Sequence, residues 1–262
     1  MCRLLGIIAN KPVDLRFSLV EGPKTIMSMS CWNPDGWGLG WYGDDGIPVI
    51  VKEPRQASES KLYHRTAAEG RSRIFVAHVR RATTGTTLSY ENCHPFAEGS
   101  WIFAHNGSIK NYESLIECLT EPHREAIMGQ TDSEILFHWI LQNIEACGSV
   151  IDGVKAAIRK IQSYTALNFL LSDGKRLYAY RDATTCTDYY TLYWLVRYPS
   201  APGPLEVRST EVRVLLESKA LRGERAVLVC SERLTDEAWK ETPLGNLLVA
   251  DEALEPKLVE VR

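Results

Sequence analysis

Two amphipathic helical segments lie in the middle of this 262-residue chain, and short apolar runs typical of β-strands lie on both sides of them. The first segment begins near Thr131 and places Ile135, Trp139 and Ile140 on one face at helical spacing. The second follows directly, over residues 149–163. This order of strands, paired helices and strands predicts an α+β fold in which helices pack on largely antiparallel sheet.

The composition narrows the class of protein. The net charge of −3 comes from both signs mixed along the chain, which argues against nucleic acid or an anionic membrane as the main partner. No apolar stretch approaches the 18 residues of a membrane span, and no signal peptide is recognisable. Seven scattered cysteines without a CxxC pair indicate neither a zinc site nor a disulfide framework. We therefore expect a cytoplasmic protein without a metal.

The second residue of the chain is a cysteine. Removal of Met1 would leave Cys2 with a thiol and a free α-amine, which are a nucleophile and a base on one residue. The structural alternative is a buried strand cysteine, because free cysteine is among the most buried residue types.

Three further stretches carry candidate functional residues. In AHNGS, the Asn106 amide and the Gly107 backbone N–H can converge on one point, as an oxyanion requires, although Asn-Gly alone is also a common turn. In AHVRRATTG, Arg80 and Arg81 point to opposite faces of a strand, so one can clamp a carboxylate while the other meets solvent; the alternative is two solvated arginines. In QTDSE, Thr131 and Glu134 predict a capping box.

That capping box places Asp132 in the first helical turn, where a carboxylate either serves the helix alone or also binds a substrate ammonium. Together the stretches describe a site for an amino acid. Arg80 takes the α-carboxylate and Asp132 the α-ammonium, while Asn106 and Gly107 hold an oxyanion and Cys2 attacks an acyl carbon.

The motifs resemble those of the class II (N-terminal cysteine) glutamine amidotransferases, within the N-terminal-nucleophile hydrolase superfamily. AHVRRATTG, ENCHPF, AHNGSI and QTDSE follow in the family's order, and DGWGLGWY is similar to its single-domain branch. The resemblance implies a four-layer αββα fold, and it implies that Thr83 lies in a turn that contacts glutamine. Arg81 stands where the family's synthases carry Trp, and Thr84 where they carry His.

The resulting expectation is a cysteine-dependent amidohydrolase that cleaves glutamine or another γ-glutamyl amide through a thioester on Cys2, without a cofactor. Its expected partner is a small γ-glutamyl substrate, and one domain over residues 1–262, with no separate synthase domain, is predicted. Two alternatives are a glutaminase subunit that supplies ammonia to a synthase and a non-catalytic γ-glutamyl-binding module. The amino-acid clamp argues against the related penicillin and bile-salt amidases. Leaving group and oligomeric state stay open.

Two further patterns have mainly structural interpretations. Gly36, Gly38 and Gly40 share one strand face, which predicts close sheet packing or room for a neighbouring loop rather than a dinucleotide site. His78 and His105 each neighbour a motif residue and are expected to support the site from behind. The tryptophans at positions 32, 37 and 41 are expected in the core or in a pocket wall.

Overall fold

The computed structural model of the chain describes residues 2–83, 85–198, 205–209, 214–218 and 225–262. In chain order its strands are β1 (Arg3–Asp14), β2 (Gly36–Tyr42), β3 (Pro48–Glu53), β4 (Arg71–Arg80), β5 (Phe96–Glu98), β6 (Trp101–Ile109), β7 (Tyr164–Ser172), β8 (Leu177–Arg181), β9 (Tyr193–Arg197), β10 (Leu205–Ser209), β11 (Val214–Ser218), β12 (Ala226–Cys230), β13 (Lys240–Glu241), β14 (Asn246–Ala250) and β15 (Lys257–Glu260). The α-helices are α1 (Ile26–Met29), α2 (Lys61–Glu69), α3 (Glu113–Cys118), α4 (Glu121–Glu125), α5 (Asp132–Cys147) and α6 (Val150–Arg159).

Two antiparallel sheets hold the described strands, apart from the separate β10–β11 pair. The first sheet has seven strands among the described residues, in the order β13–β9–β12–β1–β4–β2–β3. The second has six in the same part of the chain, in the order β15–β14–β8–β7–β6–β5. Strand β1 is therefore central, with β12 and β4 paired to its two sides.

The alternation of side chains in β1 shows how the layers are built. Leu4 and Ile8 point into an apolar layer shared with the six-stranded sheet. Leu5 and Ile7 point the other way and pack in a cluster with residues of α1 and α2. The opposite face of the six-stranded sheet packs on α5 and α6 in a third cluster. The predicted α+β class and the αββα arrangement are confirmed.

The glycine face of β2 leaves room for a neighbouring loop. A Cβ atom at Gly38 would lie 2.0 Å from the His94 carbonyl oxygen, and one at Gly36 would lie 2.7 Å from the Cys93 Sγ. At Gly40 a Cβ would lie 2.9 Å from Pro95. Segment 93–95 therefore lies directly on this face, as the loop interpretation predicted.

Near the N-terminus, residues 18–30 have a helical pattern that Gly22 and Pro23 interrupt, and the structure confirms the interruption. A π-helical turn (Phe17–Glu21) is followed by a break at Gly22 and Pro23, and α1 begins only at Ile26, after its Thr25 cap. Glycine and proline both disfavour a helix, so the helix is interrupted there.

The APGP stretch at residues 201–204, which predicts a surface loop, lies outside the described residues. Within the described ranges, no helix combines the length and apolarity that crossing a membrane requires.

Candidate active site

Five of the six predicted site residues line one cavity of about 240 Å³, namely Cys2, Arg80, Thr83, Gly107 and Asp132. The sixth, Asn106, is buried beside Gly107 in β6. One wall comes from the ends of β1 and β4 in the seven-stranded sheet, and the other from β6 and the start of α5. The site therefore lies where the two sheets meet. Met1 and Thr84, which flank these residues in sequence, lie outside the described residues.

The Cys2 thiol is positioned by the pairing of β1 with β4. Arg3 pairs with Val79, which brings Cys2 beside the last residues of β4. The Arg81 backbone N–H donates to Cys2 Sγ at 3.3 Å. Burial raises the pKa of the Cys2 thiol, although the Arg81 N–H, the N-terminal charge and Arg80 oppose the increase. The thiol is thus protonated at neutral pH, and a reaction at this sulfur requires a base.

The two arginines at the end of β4 diverge, as strand alternation predicts. The Arg80 side chain is 4% exposed, and its Nη1 has no hydrogen-bond partner among the described residues. Arg81 is exposed, and its Nη1 donates to the Trp32 carbonyl at 3.2 Å. A buried guanidinium nitrogen without a partner is costly unless an anion binds to it. Arg80 therefore presents an open site for an anion inside the cavity.

Asn106 and Gly107 lie at an irregularity of β6, where the pairing with β7 shifts between Gly107 and Ile109. The buried Asn106 Nδ2 has no hydrogen-bond partner in the described part of the chain. Gly107 has φ +155°, and a Cβ there would lie 1.9 Å from the Ala166 carbonyl oxygen. Only glycine fits this approach. The Asn106 Nδ2 is thus an unpaired donor on the residue before Gly107, which lines the cavity.

Asp132 is the first residue of α5, and its Oδ2 accepts a 2.6 Å hydrogen bond from the Ile109 N–H. This bond ties the start of α5 to the end of β6. Of the predicted capping box, the Thr131 bond is present and the Glu134 bond is not. Thr131 Oγ1 accepts from the Glu134 N–H at 3.2 Å, but the Glu134 carboxylate accepts from the Met128 and Gly129 N–H groups instead of the cap. Glu134 therefore fixes the loop that precedes the helix.

Thr83 is exposed at the cavity rim, and its carbonyl accepts from the Thr86 N–H at 3.0 Å. This bond closes the turn that sequence reasoning predicted at this position. The same cavity is also lined by residues that sequence reasoning did not propose, among them Thr86, His94, Tyr112, Gln130 and Ser133. Of these, His94 lies in the ENCHPF stretch, and Gln130 and Ser133 lie in QTDSE, so the motifs carried a signal for them; Thr86 and Tyr112 lie outside the motifs.

Two neutral histidines, His78 and His105, lie next to the predicted site residues. His78 is fully buried and stacks on His94, with ring centroids 4.2 Å apart. Burial, with the charge of Arg80, lowers the pKa of His78 to about 3. His105 lines the cavity, and its Nδ1 lies 2.9 Å from the Ser133 hydroxyl. On the far side, Lys52 Nζ donates to the Cys93 carbonyl at 2.7 Å and so holds the loop that carries His94.

The buried His78 makes stability sensitive to acid. The unfolded histidine titrates near pH 6.5 and the folded one near 3, so the unfolded state binds more protons between these values. The free energy of unfolding should fall as the pH drops below about 6.5, by about 1.4 kcal/mol per pH unit from this residue. His78→Gln should reduce that slope. Urea unfolding between pH 7 and 5 measures it, with the exposed His64→Gln as control. An unchanged slope in His78→Gln would contradict this assignment.

No group of three or more His, Cys, Asp or Glu side chains within the described ranges is arranged to hold a metal ion. The reactive groups at the site are the Cys2 thiol, the Arg80 guanidinium with its unpaired Nη1, the Asp132 carboxylate and, beside Gly107, the unpaired Asn106 Nδ2. This set matches an amino-acid substrate with an acyl group near the sulfur.

Sequence comparison agrees with this chemistry. Residues 1–258 match the family model of the class-II glutamine amidotransferases. The chain belongs to this family. It is 30% identical to YafJ of Escherichia coli, which carries a provisional glutamine amidotransferase name, over 94% of this chain and 96% of YafJ. It is 32% identical to the gamma-glutamyl-hercynylcysteine sulfoxide hydrolase of Mycobacterium tuberculosis, over 68% of this chain and 76% of that protein.

Solved structures show the same fold. Glutamine phosphoribosylpyrophosphate amidotransferase from B. subtilis superposes with a TM-score of 0.63 at 17% identity, over 100% of this chain and 49% of that one. The class II amidotransferase chain described here is accordingly an amidohydrolase-type enzyme with the fold of the N-terminal-nucleophile amidotransferases.

Proposed function

We propose that the protein hydrolyses glutamine or another γ-glutamyl amide through a γ-glutamyl thioester on Cys2. The observation that carries this proposal is the unpaired, buried Arg80 Nη1 in the cavity that also holds the Cys2 thiol. Arg80 binds the substrate α-carboxylate and Asp132 the α-ammonium, while Thr83 contacts the glutamyl group at the rim. We also propose that residues 1–262 form one domain and act without a cofactor.

The reaction follows from the protonation state of the thiol. Because burial raises the pKa of Cys2, the thiol needs a base, and removal of Met1 exposes an α-amine on the same residue. The amine takes the thiol proton, and the sulfur attacks the γ-carbonyl carbon. The Asn106 amide and the Gly107 N–H stabilise the oxyanion. The C–N bond then breaks, the departing nitrogen takes the proton, and water hydrolyses the thioester to glutamate.

The test combines mass spectrometry with a hydrolysis assay. The protein is incubated with 6-diazo-5-oxo-norleucine, a glutamine-like electrophile, and glutamate release from glutamine and γ-glutamyl amides is measured. We expect a chain that lacks Met1, one adduct, and its location on Cys2 among the seven cysteines. An unlabelled Cys2 without glutamate release contradicts the proposal. Hydrolysis that begins only when a second protein is added would support the alternative of a glutaminase subunit for a synthase.

Replacing Arg80 tests the proposed carboxylate clamp. Arg80→Lys keeps the charge but loses the planar fork that binds a carboxylate with two hydrogen bonds. We expect the KM for glutamine to rise about 10- to 100-fold, with a smaller change in kcat, since the contact is the same in the substrate and the transition state. Steady-state kinetics measures both constants. An unchanged KM with a large loss of kcat would contradict this role.

A further inference from the structure

A second cavity adjoins the first on the other side of Arg81. It has a volume of about 550 Å³, and its lining includes Arg3, Lys24, Trp32, Arg81, Tyr189 and Glu232. Arg81 lines both cavities, and its backbone N–H donates to the Sγ of Cys2, which lines the first cavity. We call this second space the outer cavity. Because the two cavities share Arg81, the outer cavity offers room beside the Cys2 site for a further part of the substrate.

The outer cavity carries an excess of positive charge. Arg3 and Lys24 both form salt bridges with the single carboxylate of Glu232. Burial alone would raise the pKa of Glu232, but its bonds to Lys24 and Arg3 lower it, so the carboxylate is charged. Arg81, in contrast, forms no salt bridge in the described part of the chain, and its Nη1 donates to the neutral Trp32 carbonyl. Among the described residues, the Arg81 guanidinium is thus a cation without a salt-bridge partner.

An apolar surface lies beside that cation. Trp32 is 77% exposed, whereas Trp37 on the neighbouring strand is fully buried. Trp32 and Arg81 both line the outer cavity, and the Arg81 side chain donates to the Trp32 backbone carbonyl. A large exposed ring and a guanidinium without a salt bridge in one cavity suit a ligand with an apolar part and an anionic end.

We propose that the outer cavity binds the amine half of the substrate and that Arg81 binds a carboxylate carried by that half. The preferred substrate is then a γ-glutamyl amino acid or short γ-glutamyl peptide, rather than glutamine. Its two carboxylates lie on either side of the scissile amide, and the consecutive residues Arg80 and Arg81 bind one each. This inference rests on the proposed function. The chemistry is unchanged: the γ-amide C–N bond breaks, and the amino acid leaves in place of ammonia.

The test compares two substrates that differ in one charge, γ-glutamylalanine and γ-glutamylalaninamide. We expect the wild-type protein to prefer the acid by about 10- to 100-fold in kcat/KM, as expected for a charge-assisted hydrogen bond. In Arg81→Gln the ratio of the two values should fall to nearly 1, and Arg81→Lys should restore part of it. Raising the salt concentration should also reduce the wild-type ratio, because the site is open to solvent.

Arg159→Gln is the matched control, since Arg159 is an exposed arginine at the end of α6. It should keep the wild-type ratio. Equal kcat/KM for acid and amide in the wild type, or an unchanged ratio in Arg81→Gln, overturns the proposal while leaving amide hydrolysis intact. If the protein cleaves no γ-glutamyl amide and Cys2 is not labelled, the proposed function itself fails, and this inference fails with it.

Discussion

A Cys2→Ala variant is expected to lose at least about 10³-fold in kcat for every γ-glutamyl amide, because no other thiol of the described cavity lining can form the acyl intermediate. Its fold should persist, since the hydrogen bonds of the Cys2 sulfur with described residues are long ones, at 3.3 Å and 3.6 Å, to the Arg81 backbone. Glutamate release and labelling by 6-diazo-5-oxo-norleucine should disappear together, while the unfolding midpoint changes little.

Cys31→Ala provides the matched control, because Cys31 is an exposed thiol outside the cavity lining. It should retain both activity and labelling. Persistent glutamate release from the Cys2→Ala protein would show that another group forms the intermediate, and the thioester mechanism would have to be abandoned.

An Asn106→Ala variant is expected to lose about 10²- to 10³-fold in kcat, the usual effect of removing one oxyanion donor. The expected loss of stability is small, since the Asn106 Nδ2 has no partner in the described structure whose bond could be lost. The KM should change less than kcat, because the oxyanion exists only in the transition state and the intermediates. Kinetics and thermal unfolding of the same protein sample separate these effects.

Asn168 is a suitable comparison, because it pairs directly with Asn106 across β6 and β7. Its amide donates to the Tyr190 carbonyl at 3.1 Å and accepts from the Asp182 N–H at 3.1 Å. Asn168→Ala should therefore lower the unfolding temperature, which Asn106→Ala should not. If Asn106→Ala destabilises the protein as much as Asn168→Ala does and leaves kcat unchanged, Asn106 is a structural residue.

Local patterns in the sequence were sufficient for much of this architecture. Strand alternation alone predicted that Arg80 and Arg81 point to opposite faces. The glycine face of β2 predicted either close sheet packing or a neighbouring loop, and the structure shows the loop. The Thr131 cap was equally local. These features depend on neighbouring residues, whose geometry follows from the secondary structure.

The features that sequence reasoning missed depend on contacts between distant segments. Sequence reasoning did not single out Lys52, yet its side chain is buried and its Nζ donates to the Cys93 carbonyl. Glu134 has the spacing of a capping box but bonds to the preceding loop instead. The outer cavity combines residues from both ends of the chain, so no stretch of sequence contains it.

The two walls of the site belong to different sheets, and this has a mechanical consequence. The nucleophile and the guanidinium are attached to the seven-stranded sheet, whereas the amide donor and the carboxylate are attached to the six-stranded sheet and α5. Their separation is set by the thickness of the apolar layer around Leu4, Ile8 and Leu170. Because such layers are closely packed, the relative positions of the two groups of site residues are as well defined as the packing between the two sheets.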